Sequence, residues 1–260
     1  ELNGEYSGKK WYFSSDWNKT IEKSQKHCNH SFESLCKLIK LQFPLYTAQK
    51  EGDEYVLYKY VPKYHQVIYY GAPGTGKSYA INEIANKYKY DNVRTTFHPD
   101  SDYSSFVGSY KPVANGKKIT YKFVRQAFTK AYLAAWKKYA VDGDKADPQF
   151  LIIEEINRGN CAQIFGDIFQ LLDRNDEGFS SYPVESDSEL CKDINFAFND
   201  EKTIDGKDGN YRLPKGCKLN IEGKIDGYKG DLSKAVKEGK VLLLPPNLYI
   251  WATMNTSDKY

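Results

Sequence analysis

Residues 71–78 read Gly-Ala-Pro-Gly-Thr-Gly-Lys-Ser, and this match to G-x-x-x-x-G-K-[ST] constrains the chain more than any other segment. It follows an aromatic and β-branched run at 67–70 that reads as a strand, and it opens a helical pattern over about 76–89. Strand, glycine-rich turn and helix in that order aim successive N–H groups and a helix N-terminus at negative charge. Gly71, Ala72, Pro73, Gly74, Thr75, Gly76, Lys77, Ser78 and Tyr79 are therefore expected to cradle the phosphates of a nucleotide. In that cradle Lys77 reaches the β and γ oxygens, and the Ser78 hydroxyl ligates Mg²⁺.

The rest of the chain reads as the frame for that loop. A second strand at 93–97 completes a βαβ opening, an apolar run at 150–153 has the texture of a fully buried parallel strand, and 248–253 reads as a last strand. The predicted class is α/β, a P-loop core whose parallel sheet is flanked by helices. Between the strands, 98–118 reads as a loop. A helix is predicted from about 121 to 139, with Phe128, Tyr132, Ala135 and Trp136 on one stripe, and another at 160–173 with Ile164, Ile168 and Leu171 facing the core. Residues 175–243 read as an insertion in a 66–260 core. Seven of the 19 glycines lie within 199–240, which predicts hairpins and turns or a surface loop. Residues 1–65 form an N-terminal extension of unassigned role, with one amphipathic helix pattern carrying Phe32, Leu35, Cys36, Ile39 and Phe43 behind Ser31.

Charge and cysteine usage exclude several classes. A net charge of +3 does not by itself imply a polyanionic partner. No run approaches the roughly 18 apolar residues of a membrane span, and no leader opens the chain, so a soluble cytoplasmic protein with no membrane partner is expected. Five cysteines without a CxxC pair read as reduced thiols, and His27, Cys28, His30 and Cys36 fit no standard zinc spacing. Because the chain begins at Glu1 and stops at Tyr260 just after a strand-like segment, it reads as a piece of something longer.

Two further segments carry chemistry. The strand at 150–153 ends in Glu154 and Glu155, 76 residues after Ser78, where one carboxylate can serve the metal shell and the next can orient water toward a γ-phosphate. Glu154 stands where Asp is usual, and its longer side chain can act through water. Asn255 follows the last strand, at the edge where ligands bind in open α/β sheets, and can offer an amide to the γ-phosphate or its water. His98 could be an acid or base, but a structural or subunit-interface role shared with Tyr103 and Phe106 fits phosphoryl transfer better, and Tyr110 and Pro112 read as loop packing.

Together, GAPGTGKS (71–78), TFHPDSDYSSFVGSYKP (96–112), YKFV (121–124), FLIIEEINRGNCAQIFGDIFQLLDR (150–174) and LPPNLYIWATMNTSD (244–258) resemble the McrB-like AAA+ nucleoside triphosphatases over about 66–174 and 241–260. The resemblance implies that Gly74, Gly76, Lys77 and Ser78 bind nucleotide, that Glu154 and Glu155 serve metal and water, and that Asn255 is the sensor-1 residue. Asp258 matches the last position of the family motif, and Lys259 departs from the usual Arg or Gln. It also implies hydrolysis of ATP or GTP with Mg²⁺, ring oligomers, usually hexamers, a McrC-like nuclease subunit, and DNA met through the assembled complex in restriction or phage defence. The final core strand, the helical lid and their arginines would follow Tyr260, so slow turnover and poor ring formation are expected of these residues alone. An ATP-driven protein-remodelling subunit and a non-hydrolysing scaffold are the alternatives; Glu155 argues against the scaffold.

Overall fold

In the computed structural model, the described residues are 61–256 except 116–117, 200–210 and 226–227, together with four earlier strands. Those strands are β1 (Gly4–Glu5), β2 (Trp11–Tyr12), β3 (Tyr46–Glu51) and β4 (Glu54–Lys59). The helix expected over 31–43, the cluster at 27–36, Asp258 and Lys259 lie outside the described residues. The chain divides into two compact units, Glu1–Tyr64 with Asn82–Lys89, and His65–Ile81 with Tyr90–Tyr260. In the first, β2, β4 and β3 pair antiparallel, and β1 pairs with β5 (Val61–Pro62).

The second unit is built on four parallel strands in the order β6 (Gln66–Gly71), β13 (Leu248–Asn255), β10 (Gln149–Glu154), β7 (Asp91–Thr96). β10 and β13 are central, which explains their near-continuous apolar sequence: Phe150 through Ile153 and Leu248 through Ala252 are all buried, as strands covered on both faces must be. The register aligns Glu154 with Thr96, and Asn255 with Gly71. The phosphate loop, the paired carboxylates and Asn255 therefore leave the sheet at one edge.

The helix Ala127–Asp142 covers the sheet with Phe128, Tyr132, Ala135 and Trp136 buried, as the stripe predicts. Its polar atoms are satisfied across the core: the Trp136 indole donates to the Leu243 carbonyl at 2.8 Å, and the Thr129 hydroxyl to that of Val107 at 2.7 Å. This helix begins at Ala127 and not near 121. Residues 118–125 instead form β9 (Lys118–Arg125), antiparallel to β8 (Gly108–Asn115), so much of the expected 98–118 loop is a helical turn at Tyr103–Phe106 and one arm of a hairpin. Tyr110 and Pro112 are exposed on β8 and do not pack a loop.

The predicted 160–173 helix is divided. Cys161–Phe165 is α-helical, and Gly166, at φ 51°, turns the chain into a 3₁₀ run, Gly166–Leu172. Ile164, Ile168 and Leu171 are nevertheless buried. In 175–243 the described residues form helices Ser188–Asn199 and Leu232–Lys237 rather than hairpins, and the strand pair β11 (Val184–Glu185) with β12 (Val241–Leu242) ties the ends together. Phe179, Leu190, Ile194, Phe198, Leu219 and Val236 join the main hydrophobic core, so the glycines of this segment punctuate packed structure. Arg174, partly buried, donates to the carbonyls of Gly178 (2.9 Å) and Leu248 (3.0 Å), tying the segment's start to β13.

Candidate functional site

The phosphate loop gets its shape from glycine and from its own side chains. Gly74 and Gly76 sit at φ 77° and 84°, where a side chain would be strained. Thr75 Oγ1 donates to the Ala72 carbonyl at 2.9 Å, and Lys77 Nζ donates to the carbonyls of Gly71 (3.0 Å) and Ala72 (2.8 Å). The helix Lys77–Lys87 begins immediately, with the Ala80 N–H bonded to the Gly76 carbonyl at 2.9 Å. Residues 72–76, Ser78 and Tyr79 are exposed. The Tyr79 ring is among them, which leaves its backbone, in the first helical turn, as its route to a phosphate.

Across the sheet edge, Ser78 Oγ donates to Glu154 Oε2 at 2.8 Å although 76 residues separate them. The same carboxylate accepts from Thr253 Oγ1 at 2.6 Å and pairs with Arg94 from β7. Glu154 thus stands among oxygen donors and one guanidinium. A hydroxyl and a carboxylate are hard oxygen ligands of the kind Mg²⁺ takes alongside substrate phosphates and water. Among the described residues no group of three His, Cys, Asp or Glu side chains could hold a metal unaided. Ser78 and Glu154 fit a shared, substrate-borne cation.

Glu155 is held differently. Its backbone is left-handed (φ 55°, ψ 47°), a conformation costing a non-glycine residue about 1 kcal/mol. The Glu155 N–H donates to Thr253 Oγ1 at 3.1 Å, which helps to fix that turn. The carboxylate accepts from Asn255 Nδ2 at 2.5 Å and lies 3.5 Å from Arg158 Nε. Asn157 braces the pair from below, its amide donating to the Asn255 carbonyl at 3.1 Å and its oxygen accepting from the Asn255 N–H at 3.3 Å. Gly159 completes the turn because a Cβ there would meet Ile164 Cδ1 at 2.4 Å. Lys77, Ser78, Glu154, Glu155 and Asn255 therefore meet at one edge, with Asn255 largely buried between strands.

The other expected residues lie apart. His98 is exposed, and its backbone N–H donates to Ser101 Oγ at 2.9 Å. Phe106 is core, and the Tyr103 hydroxyl donates to Asp187 at 3.3 Å; burial and the nearby Asp187 carboxylate raise its pKa. Sequence reasoning missed Arg94, Asn157, Arg158 and Thr253. Thr253 was open to discovery: it lies two residues before Asn255, and strand alternation puts both on one face.

A glycine-rich loop after one parallel strand, carboxylates at the end of a second and an amide at the end of the strand between them define a P-loop nucleoside triphosphatase core. Within that class, the chain belongs to the AAA+ ATPases, McrB-like in kind: the model of the AAA domain (dynein-related subfamily) matches residues 66–196, just over half of its 260 residues. It is 33% identical over 218 residues, 74% of this chain, to the type II restriction enzyme BsuMI component YdiS of Bacillus subtilis (strain 168). It is also 27% identical over 121 residues, 43% of this chain, to the type IV methyl-directed restriction enzyme EcoKMcrB subunit of Escherichia coli (strain K12). The chain spans 51% of the first relative and 23% of the second. Among the described residues no helix is long and apolar enough to cross a membrane.

Proposed function

We propose that this chain binds and hydrolyses ATP or GTP with Mg²⁺ as the motor core of an oligomeric restriction or defence machine. The observation that carries the reading is the meeting of Ser78 with Glu154, and of Asn255 with Glu155, at the end of the phosphate-loop strand. Gly71 through Tyr79 cradle the triphosphate, and Lys77 leaves its two loop carbonyls for the β and γ oxygens. Ser78 and Glu154 hold Mg²⁺, which supplies neutralisation of phosphate charge. Glu155 orients the attacking water, and Asn255 positions both that carboxylate and the γ-phosphate. Arg158, beside Glu155, holds the carboxylate in its aim.

The resemblance to restriction-enzyme components supports a ring assembly, a McrC-like nuclease partner and DNA as the substrate of the whole machine. The phosphate-binding logic is common to both purines, so one competition assay between ATP and GTP assigns the base. Hydrolysis is tested by Glu155→Gln, which keeps size and removes the charge that orients water. Nucleotide affinity should stay within about threefold while phosphate release falls at least about 100-fold. Wild-type turnover by that variant would remove Glu155 from the mechanism.

A further inference from the structure

The hairpin of β8 and β9 takes no part in the nucleotide site, and its composition departs from that of the chain. Residues 108–125 contain Lys111, Lys117, Lys118, Lys122 and Arg125 and no Asp or Glu, whereas the whole chain balances 37 basic against 34 acidic residues. The register sets Lys111 directly opposite Lys122, a like-charge pair that costs a sheet stability unless an anion lies against it. Both lysines are exposed.

Alternation puts Tyr110, Pro112, Tyr121 and Phe123 on the other face, where Tyr110 and Phe123 meet edge-on at 5.8 Å. Tyr121 is 69% exposed and Ile119 71%, large apolar groups on an arm with water at both faces. A two-stranded ribbon is marginal in water by itself. This one is rigid at its root, where Arg125 forms a bidentate pair with Asp193 (Nε–Oδ2 2.7 Å, Nη2–Oδ1 3.0 Å), both side chains nearly buried.

We propose that this hairpin is a contact element for duplex DNA, its ribbon lying in the major groove with Lys111 and Lys122 reaching phosphates. The exposed Lys111–Lys122 pair, on a hairpin that carries no acid, complements a polyphosphate, and the eight-residue arms, about 26 Å long at the usual rise per residue, span more than half a turn of duplex. The major groove of B-DNA, about 12 Å wide, admits a two-stranded ribbon, whereas that of an RNA helix is too deep and narrow. Exposed tyrosine and isoleucine side chains suit base edges and thymine methyls on the groove floor. The inference rests on the hairpin alone and stands whether or not the chain hydrolyses nucleotide.

The test is fluorescence anisotropy of the whole chain with a labelled 25-base-pair duplex, without nucleotide, from 50 to 200 mM KCl. Lys111→Gln with Lys122→Gln should weaken binding about 10-fold at 100 mM and lower the slope of log affinity against log salt by roughly 2. Lys111→Arg with Lys122→Arg should restore both, and Lys218→Gln with Lys229→Gln, exposed lysines elsewhere, should change neither. Thermal melting of each variant verifies the fold, which these exposed positions do not support. Unchanged binding by the hairpin variant, an equal loss in the distant one, or tighter binding of the single strand than of the duplex would each overturn the proposal.

Discussion

At the scale of single residues the site depends on charges held by short, specific contacts. Lys77 touches only carbonyls of its own loop and no part of the hydrophobic core, so Lys77→Ala should leave the fold intact. The lost ammonium would otherwise make charge-assisted bonds to phosphate of about 1.5–3 kcal/mol each, so nucleotide affinity should fall at least about 30-fold. Equilibrium titration with a fluorescent triphosphate measures it, and full affinity in a normally melting variant would refute the loop's role. Glu154 needs Arg94 and two hydroxyls around it because it is only 15% exposed and a partly buried carboxylate must be compensated. Arg94 lies one strand from Glu154 and 60 residues earlier, so the pair follows from sheet order and not from any local pattern.

At the scale of elements, the entry to β6 is tied to β13 by His65. Its ring stacks on Tyr249 at 4.9 Å, and Nε2 donates to the Pro246 carbonyl at 2.8 Å. Burial, with the Arg174 guanidinium nearby, lowers its pKa from 6.5 to about 4. The unfolded chain therefore binds the proton more readily, and the stability contributed by neutral His65 is complete above pH 6.5 and fades as pH falls toward 4. Between pH 7 and 5 this amounts to about 2 kcal/mol, or a melting temperature lower by about 5 °C. His65→Gln, which keeps an amide donor but cannot titrate, should melt with a shallower pH dependence; an unchanged slope would show that His65 is not the group responsible. The central elements were legible because burial on both faces leaves an unbroken apolar run in β10 and β13, and because the phosphate loop is a local pattern. The start of the helix Ala127–Asp142 was not. Ile119 through Phe123 alternate as a strand does, but the strong stripe from Phe128 onward extends backward over the end of that run on a helical reading. The hairpin is fixed by pairing with residues on the far side of its own turn, which period alone does not reveal.

At the scale of the whole molecule, residues 175–243 determine whether the sheet has a complete core. Sequence composition suggested an insertion of hairpins and turns or a surface loop carried by the core, since glycine, lysine and aspartate dominate its second half. The structure instead sinks Phe179 into the aromatic cluster of Trp136 and Tyr139, with ring centroids 6.4 and 5.5 Å apart, and seats Leu190, Ile194, Phe198 and Val236 in the same core as β10 and the helix Ala127–Asp142. Polar groups cross the same boundary: the Ser180 hydroxyl donates to the Leu171 carbonyl at 2.7 Å and accepts from the Leu244 N–H at 3.0 Å. Fully burying each large side chain is worth about 1.5–3 kcal/mol, so the four within 188–237 contribute about 6–12 kcal/mol, comparable with the roughly 5–15 kcal/mol by which a domain is typically stable. Replacing residues 188–237 by a short glycine–serine linker should therefore abolish cooperative unfolding, expose apolar surface that binds a hydrophobic dye, and take nucleotide binding with it, although no residue of the phosphate loop is touched. Calorimetry and dye fluorescence on the shortened and whole chains provide the measurement. A shortened chain that melts cooperatively within a few degrees of the original would mean that these helices cover the core without completing it.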